Sequence, residues 1–266
     1  MTSNQPGQCC AVGVRHECNR KRLNGQLVDL AARGEPTGKF IKINGTIDAY
    51  LATPPADKAH KGVGIVYVPD ILGIWVNSQL MADQFAANGY TCILPDFFNG
   101  DKFPDPRPAD IMAWLSKGTD GNNPHTAEQL DPIAVAGIKA LKEDFGCTKI
   151  GAVGYCLGAK YAVRNFKYGV DVGFIAHPSF VTEEELVSIT GPLSIAAAQT
   201  DHIFPLDKRI ESEKILGRSS RPWQINVFSG VEHGFAVRGD ISNAVERFAK
   251  EQAFFQAIAW FDQHLL

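Results

Sequence analysis

Residues 149–158 read KIGAVGYCLG. An apolar run stops at a cysteine, Cys156, that stands between two glycines, Gly154 and Gly158. A short apolar run bounded by turn signals reads as a strand covered on both faces. The next residues, GAKYAVRNFK (158–167), read as a helix. A cysteine that only fills core space needs no glycine on either side. A cysteine on a sharp strand-to-helix turn does, because strand and helix approach closely there. Such a turn holds its central residue in a strained conformation and lifts the side chain above the sheet. The start of a helix also carries partial positive charge, which favours thiolate over thiol.

The same alternation continues on both sides of this turn. From Lys39 the sequence reads as two strands around Asn44-Gly45. Strand patterns follow in GVGIVYVPD (62–70), TCILPDFF (91–98), VGFIAHP (172–178), GPLSIAAAQTD (191–201) and WQINVFSG (223–230). Helix patterns fall at 78–90, 108–116, 131–146, 182–189, 206–216 and 242–265. Strands and helices that alternate in this way predict an α/β fold, with a mostly parallel central sheet and helices on both faces. One domain is expected over 38–266. Residues 1–37 read as an irregular or peripheral N-terminal extension, with a short helix at Leu27–Arg33 ended by Gly34 and Pro36.

Composition removes several classes of function. The 266 residues are 45% hydrophobic and 21% charged, and the net charge is -3. Beyond Arg20-Lys21-Arg22 no basic run stands out, so no nucleic-acid partner is expected. No window reaches the length of a membrane span, and no apolar signal segment opens the chain. The 6 cysteines (9, 10, 18, 92, 147 and 156) lack paired spacing. They read as reduced thiols in a cytoplasmic protein. Cys9 and Cys10 are adjacent but have no partner ligands at metal spacing, so no metal is expected.

In a parallel sheet, sites form beyond the carboxyl ends of the strands. Those ends carry Asp70, Cys156 and Asp201, with His233 in the loop after the strand that follows. Taken singly, Cys156 is a packed core thiol, Asp201 a helix cap before IFPLDK, and His233 a loop histidine. Taken in chain order they are nucleophile, acid and base. His233 would move protons to and from the sulfur, and Asp201 would fix its tautomer and stabilise the charged ring. His202 is too close in sequence to Asp201 to be its partner. His177, at another strand end, reads as a pocket wall.

At these residues the sequence resembles the dienelactone hydrolase family, the carboxymethylenebutenolidase-like α/β-hydrolases. VGYCLG (153–158) is similar to the family's cysteine elbow, QTDHIFP (199–205) to its acid-bearing strand end, and VEHGFAVR (231–238) to its histidine loop. PDILG (69–73) and LPDFFNGD (94–101) match two further segments. The resemblance implies an α/β-hydrolase fold and a Cys156–His233–Asp201 triad. It implies an oxyanion hole built from the backbone N–H groups of Ile71 and Leu157. It also implies that Asp70 occupies the place of a glutamate that holds the resting thiol in bacterial members, one methylene shorter. Of the two arginines that bind substrate carboxylate there, Gly100 replaces one, with Lys102 nearby, and Arg238 lies about one residue from the other. Trp75, Phe98 and Phe235 are candidate walls of an apolar pocket.

The expected activity is hydrolysis of a small-molecule lactone or activated ester through a thioester, without cofactor. Two other classes remain open at this stage: a catalytically silent scaffold that binds a small molecule or a partner protein, and a thiol sensor oxidised at Cys156. The sequence leaves the natural substrate and the oligomeric state open.

Overall fold

The computed structural model describes residues 21–23, 26–28, 35–104 and 110–266. Cys9, Cys10 and Cys18 lie outside them. Near the N-terminus, β1 (Lys21–Leu23) and β2 (Gln26–Val28) pair antiparallel. The expected helix therefore does not begin at Leu27, which lies within β2 and pairs with Arg22. Its remaining residues, 29–33, are outside the described ones.

Eight further strands make one sheet. They are β3 (Lys39–Ile43), β4 (Ile47–Ala52), β5 (Val63–Val68), β6 (Thr91–Pro95), β7 (Lys149–Tyr155), β8 (Val172–Ala176), β9 (Leu193–Thr200) and β10 (Trp223–Glu232). Their spatial order is β10-β9-β8-β7-β5-β6-β4-β3. The run from β10 to β6 is parallel throughout, and the β4–β6 and β3–β4 pairings are antiparallel. This is the mostly parallel sheet that the alternation predicts. Strand order reverses between β5 and β7, and a reversal of that kind opens a crevice at the carboxyl edge.

Helices cover both faces. Against one face lie α1 (Val76–Ala87) and α8 (Ala244–Leu265), which bury Phe85, Phe254 and Phe261 against β-strand residues such as Tyr67, Val153 and Phe174. Against the other lie α3 (Ala127–Glu143), α4 (Gly158–Arg164) and α6 (Leu206–Leu216), with Leu130, Ile133, Tyr161 and Leu216 in the core. β5 is buried at every position, as its unbroken apolar run demands. Burying each large apolar side chain of this kind contributes about 1.5–3 kcal/mol.

Several helices differ from their expected bounds. α3 begins at Ala127, ahead of Pro132, which sits in the second turn and gives up one backbone bond. α2 (Ile111–Lys117) starts on the Asp110 cap, whose carboxylate accepts the Met112 and Ala113 N–H groups. Residues 108 and 109 of the expected span lie outside the described ones. A four-residue helix, α7 (Phe235–Arg238), occupies what reads in sequence as loop. α5 (Glu183–Val187) opens with a reciprocal cap between Thr182 and Glu185.

Candidate active site

The parallel strands bring chemistry to one edge of the sheet. Cys156 directly follows β7, His177 follows β8, Asp201 follows β9 and His233 follows β10, while Asp70 lies two residues beyond β5. Cys156 has φ 53°, in the left-handed region. For a non-glycine residue that conformation is strained and persists only where its surroundings hold it. The flanking glycines explain how strand and helix close around it. A Cβ on Gly158 would stand 2.2 Å from the Val68 carbonyl oxygen, and one on Gly154 would stand 2.5 Å from the Gly158 carbonyl oxygen. Neither position admits a side chain.

His233 Nε2 lies 3.3 Å from Cys156 Sγ, and His233 Nδ1 lies 2.9 Å from Asp201 Oδ2. Sulfur, imidazole and carboxylate thus form one connected chain across four strands. The pairing of β10 with β9 shifts register between Phe228 and Glu232, just before His233. Shifts of this kind bend a strand and re-aim the residues beyond it. The other carboxylate oxygen of Asp201 accepts the Ile203 and Phe204 N–H groups, at 2.8 and 3.0 Å. Asp201 is therefore both the cap of its own turn and the partner of His233.

Burial disfavours an imidazolium at residue 233, but the adjoining sulfur and the Asp201 carboxylate outweigh it and raise the pKa of His233. Burial also works against the Asp201 carboxylate. Its bonds from His233 and from two backbone N–H groups prevail and hold it below the usual carboxylate range. The ring is thus a cation between two anions when the thiol is ionised. Cys156 is fully buried. The thiol is turned out of the strand by its left-handed backbone, yet it is covered rather than standing clear of the sheet.

Asp70 is also buried. Its Oδ1 accepts the Leu72 N–H at 3.0 Å, and its Oδ2 lies 3.6 Å from Arg238 Nε. Burial pushes its pKa up to about 6, against the downward pull of Arg238 and with an upward push from the Cys156 thiolate. Arg238 comes from α7 and is itself buried, so the arginine that sequence comparison aligns near a carboxylate clamp has a carboxylate of the protein beside it. Ile71 and Leu157 are buried next to Asp70 and Cys156, and among the described residues neither backbone N–H has a hydrogen-bond acceptor.

The remaining candidates lie in different surroundings. Phe235 is buried with its ring 5.9 Å from His177 and 5.3 Å from Phe228. It shares with His233 and Arg238 a cavity of about 380 Å³. Trp75 is half-buried at the start of α1. Phe98 packs on Trp114 and His125, with centroids at 4.9 and 5.2 Å. Lys102 is exposed, while its neighbour Phe103 donates its N–H to the Ile71 carbonyl at 2.9 Å. His177 is buried, with its ring 5.0 Å from that of His233.

A contact at the sulfur itself has no counterpart in the sequence reading. Ser179 Oγ lies 3.4 Å from Cys156 Sγ. Its only sequence signal is its place two residues past a strand-end histidine in HPSF (177–180). Among the described residues, no group of metal-ligating side chains clusters and no helix is long and apolar enough to cross a membrane.

This mostly parallel sheet with helices on both faces, which brings Cys156, Asp201 and His233 together at its carboxyl edge, has the α/β-hydrolase fold. The sequence profile of the dienelactone hydrolase family matches residues 47–265, and the chain belongs to that family. It is 46% identical to hydrolase pyvD of Aspergillus violaceofuscus, over 100% of this chain and 99% of the relative. It is 35% identical to dienlactone hydrolase 1 of Gibberella moniliformis, over 86% of this chain and 89% of the relative. Among solved structures, a putative dienelactone hydrolase from Klebsiella pneumoniae superposes with a TM-score of 0.67 at 16% identity, over 85% of this chain and 98% of that one, a likeness of fold.

Proposed function

We propose that this protein is a cysteine-dependent hydrolase of a lactone or activated ester, acting through a thioester. Membership of the dienelactone hydrolase family supports a hydrolase of ester or lactone type. The observation that carries the finer reading is the unbroken Sγ–Nε2 and Nδ1–Oδ2 chain, at 3.3 and 2.9 Å, on a left-handed strand end.

The Cys156 thiolate attacks the carbonyl carbon, with His233 as the conjugate imidazolium. An S–C bond forms and the carbonyl oxygen takes negative charge between the N–H groups of Ile71 and Leu157. Losing one fixed donor at such a position typically raises the barrier by about 3–4 kcal/mol. The C–O bond then breaks, and the leaving oxygen takes the proton from His233 Nε2. In a lactone that oxygen stays tethered as the new hydroxyl or enol. Water next gives a proton to His233, attacks the thioester carbon and expels the thiolate, and the acid product leaves. Asp201 keeps Nδ1 protonated in every step. Asp70, paired with Arg238, fixes the charge beside the sulfur and the turn that carries Ile71. Trp75 and Phe235 serve as apolar walls.

The test is a panel of lactones and aryl esters, including p-nitrophenyl acetate. Cys156→Ala is expected to lower turnover by about 10³-fold or more while the fold persists. A silent scaffold shows no turnover in the wild type either. A thiol sensor shows reversible oxidation of Cys156 without ester turnover.

A further inference from the structure

We infer that Ser179 is a further catalytic residue of this site, whose hydroxyl donates to the Cys156 sulfur and stabilises it as thiolate and as leaving group. The inference rests on the hydrolase reading above and adds a fourth group to it.

The loop 177–180 is built to hold this contact. It leaves β8 next to the end of β7 and passes across the cysteine elbow. His177 N–H donates to the Ala196 carbonyl at 2.8 Å, and Ser179 N–H donates to the Cys156 carbonyl at 3.0 Å. Lys160 Nζ, itself held by Glu185 at 2.6 Å, donates to the Phe180 carbonyl at 3.2 Å. Two of the four residues take left-handed backbone, His177 at φ 38° and Phe180 at φ 60°. Strain in two non-glycine residues of one short loop marks a segment whose conformation is imposed by its contacts. The outcome is a fully buried Ser179, with Oγ at 3.4 Å from Sγ and no other hydrogen-bond partner for that oxygen among the described residues.

The direction of the bond follows from what each partner has to give. In the ion pair the sulfur carries no proton and accepts from both His233 Nε2 and Ser179 Oγ. In the neutral pair the thiol proton points to Nε2, the base, and the sulfur lone pairs remain open to the serine. Serine is the donor in both states, and its bond is stronger to the charged sulfur. Once the sulfur is acylated the negative charge is gone and the bond weakens. It returns as the C–S bond breaks in the second half-reaction, when the electron pair goes back to sulfur. The hydroxyl therefore favours departure of the thiolate from the tetrahedral intermediate.

Of the titratable groups around the sulfur, His233 after β10 touches it and Asp70 after β5 is electrostatically coupled to it, while Arg238 on α7 lies beside Asp70 and the His177 ring after β8 lies against that of His233. A change at Ser179 leaves all of them in place, so any shift in sulfur ionisation reports the hydroxyl. The experiment measures the rate of Cys156 alkylation by iodoacetamide against pH in the wild type, Ser179→Ala and Ser179→Thr. The decay of the acetyl-enzyme formed from p-nitrophenyl acetate is followed in the same three proteins. Removing the hydroxyl is expected to raise the pH midpoint of alkylation by about one unit, the size of one hydrogen bond to a charged group. Decay of the acetyl-enzyme is expected to slow by roughly tenfold, and threonine is expected to restore both. Ser179→Gly, which also lacks the hydroxyl, repeats the reading if alanine disturbs folding. An unchanged or lowered midpoint in both hydroxyl-free variants overturns the assignment. Alkylation needs only the thiol, so a raised midpoint would stand even if Cys156→Ala retained ester turnover and the hydrolase reading fell.

Discussion

Among the described residues, two aspartate–histidine pairs have nearly equal length and opposite character. His233 Nδ1 meets Asp201 at 2.9 Å, and His125 Nε2 meets Asp101 at 3.0 Å. Both rings are almost wholly buried. The second nitrogen makes the difference. That of His233 faces Cys156 Sγ, and the charges around the ring overcome burial and raise its pKa. That of His125 has no hydrogen-bond partner among the described residues, and its ring lies 4.3 Å from Trp114 and 5.2 Å from Phe98. There burial prevails over the pull of Asp101 and lowers the pKa. Asp101 also accepts the Thr119 N–H at 2.9 Å, and its carbonyl accepts the Trp114 indole N–H at 3.1 Å. That pair ties a loop to α2. His125 and Asp101 form a clasp between a loop and α2, whereas under the proposed function the sulfur on the far nitrogen of His233 turns the other pair to proton transfer.

The sharpest way to break the comparison is to cut both pairs. Asp201→Asn leaves His233 without its anionic partner and is expected to cost about 10³-fold or more in kcat for p-nitrophenyl acetate. His125→Phe is expected to keep kcat within the same order of magnitude and to lower stability by about 1 kcal/mol in denaturant unfolding. Equal losses of activity in the two variants would mean that the pairs do not differ as described. A smaller effect sharpens the same point. In an NMR titration the His233 ring is expected to titrate above the usual histidine value and His125 below it. Cys156→Ala removes the thiolate charge, so the His233 midpoint is expected to fall while that of His125 stays. A His233 midpoint indifferent to the sulfur would mean that ring and thiolate are not coupled.

The elbow was legible because sterics leave a mark in sequence. Only glycine fits at 154 and 158, given carbonyl oxygens within 2.5 Å of where a Cβ would stand. The sheet was legible for a similar reason, since strands such as β5 are covered on both faces and require unbroken apolar runs. Asp201 and His233 were legible through chain order and their places at strand ends. What escaped depends on contacts that no local pattern encodes. Ser179 reaches the sulfur because a strained loop folds back over the neighbouring strand. Arg238 meets Asp70 because four residues after His233 coil into α7. Leu27 sits in a strand because Arg22 pairs with it, whereas its sequence neighbourhood favours a helix. Phe98, three residues past β6 and a candidate pocket wall, packs its ring on Trp114 and His125.

A thioester on Cys156 can be sought directly. Enzyme mixed with p-nitrophenyl acetate is quenched in acid during steady turnover, digested and read by mass spectrometry. One acetyl group is expected, on the peptide that carries Cys156, labile to hydroxylamine and absent from Cys156→Ala. Acetyl on another side chain, or turnover that continues in Cys156→Ala with no label at all, would contradict the thioester mechanism.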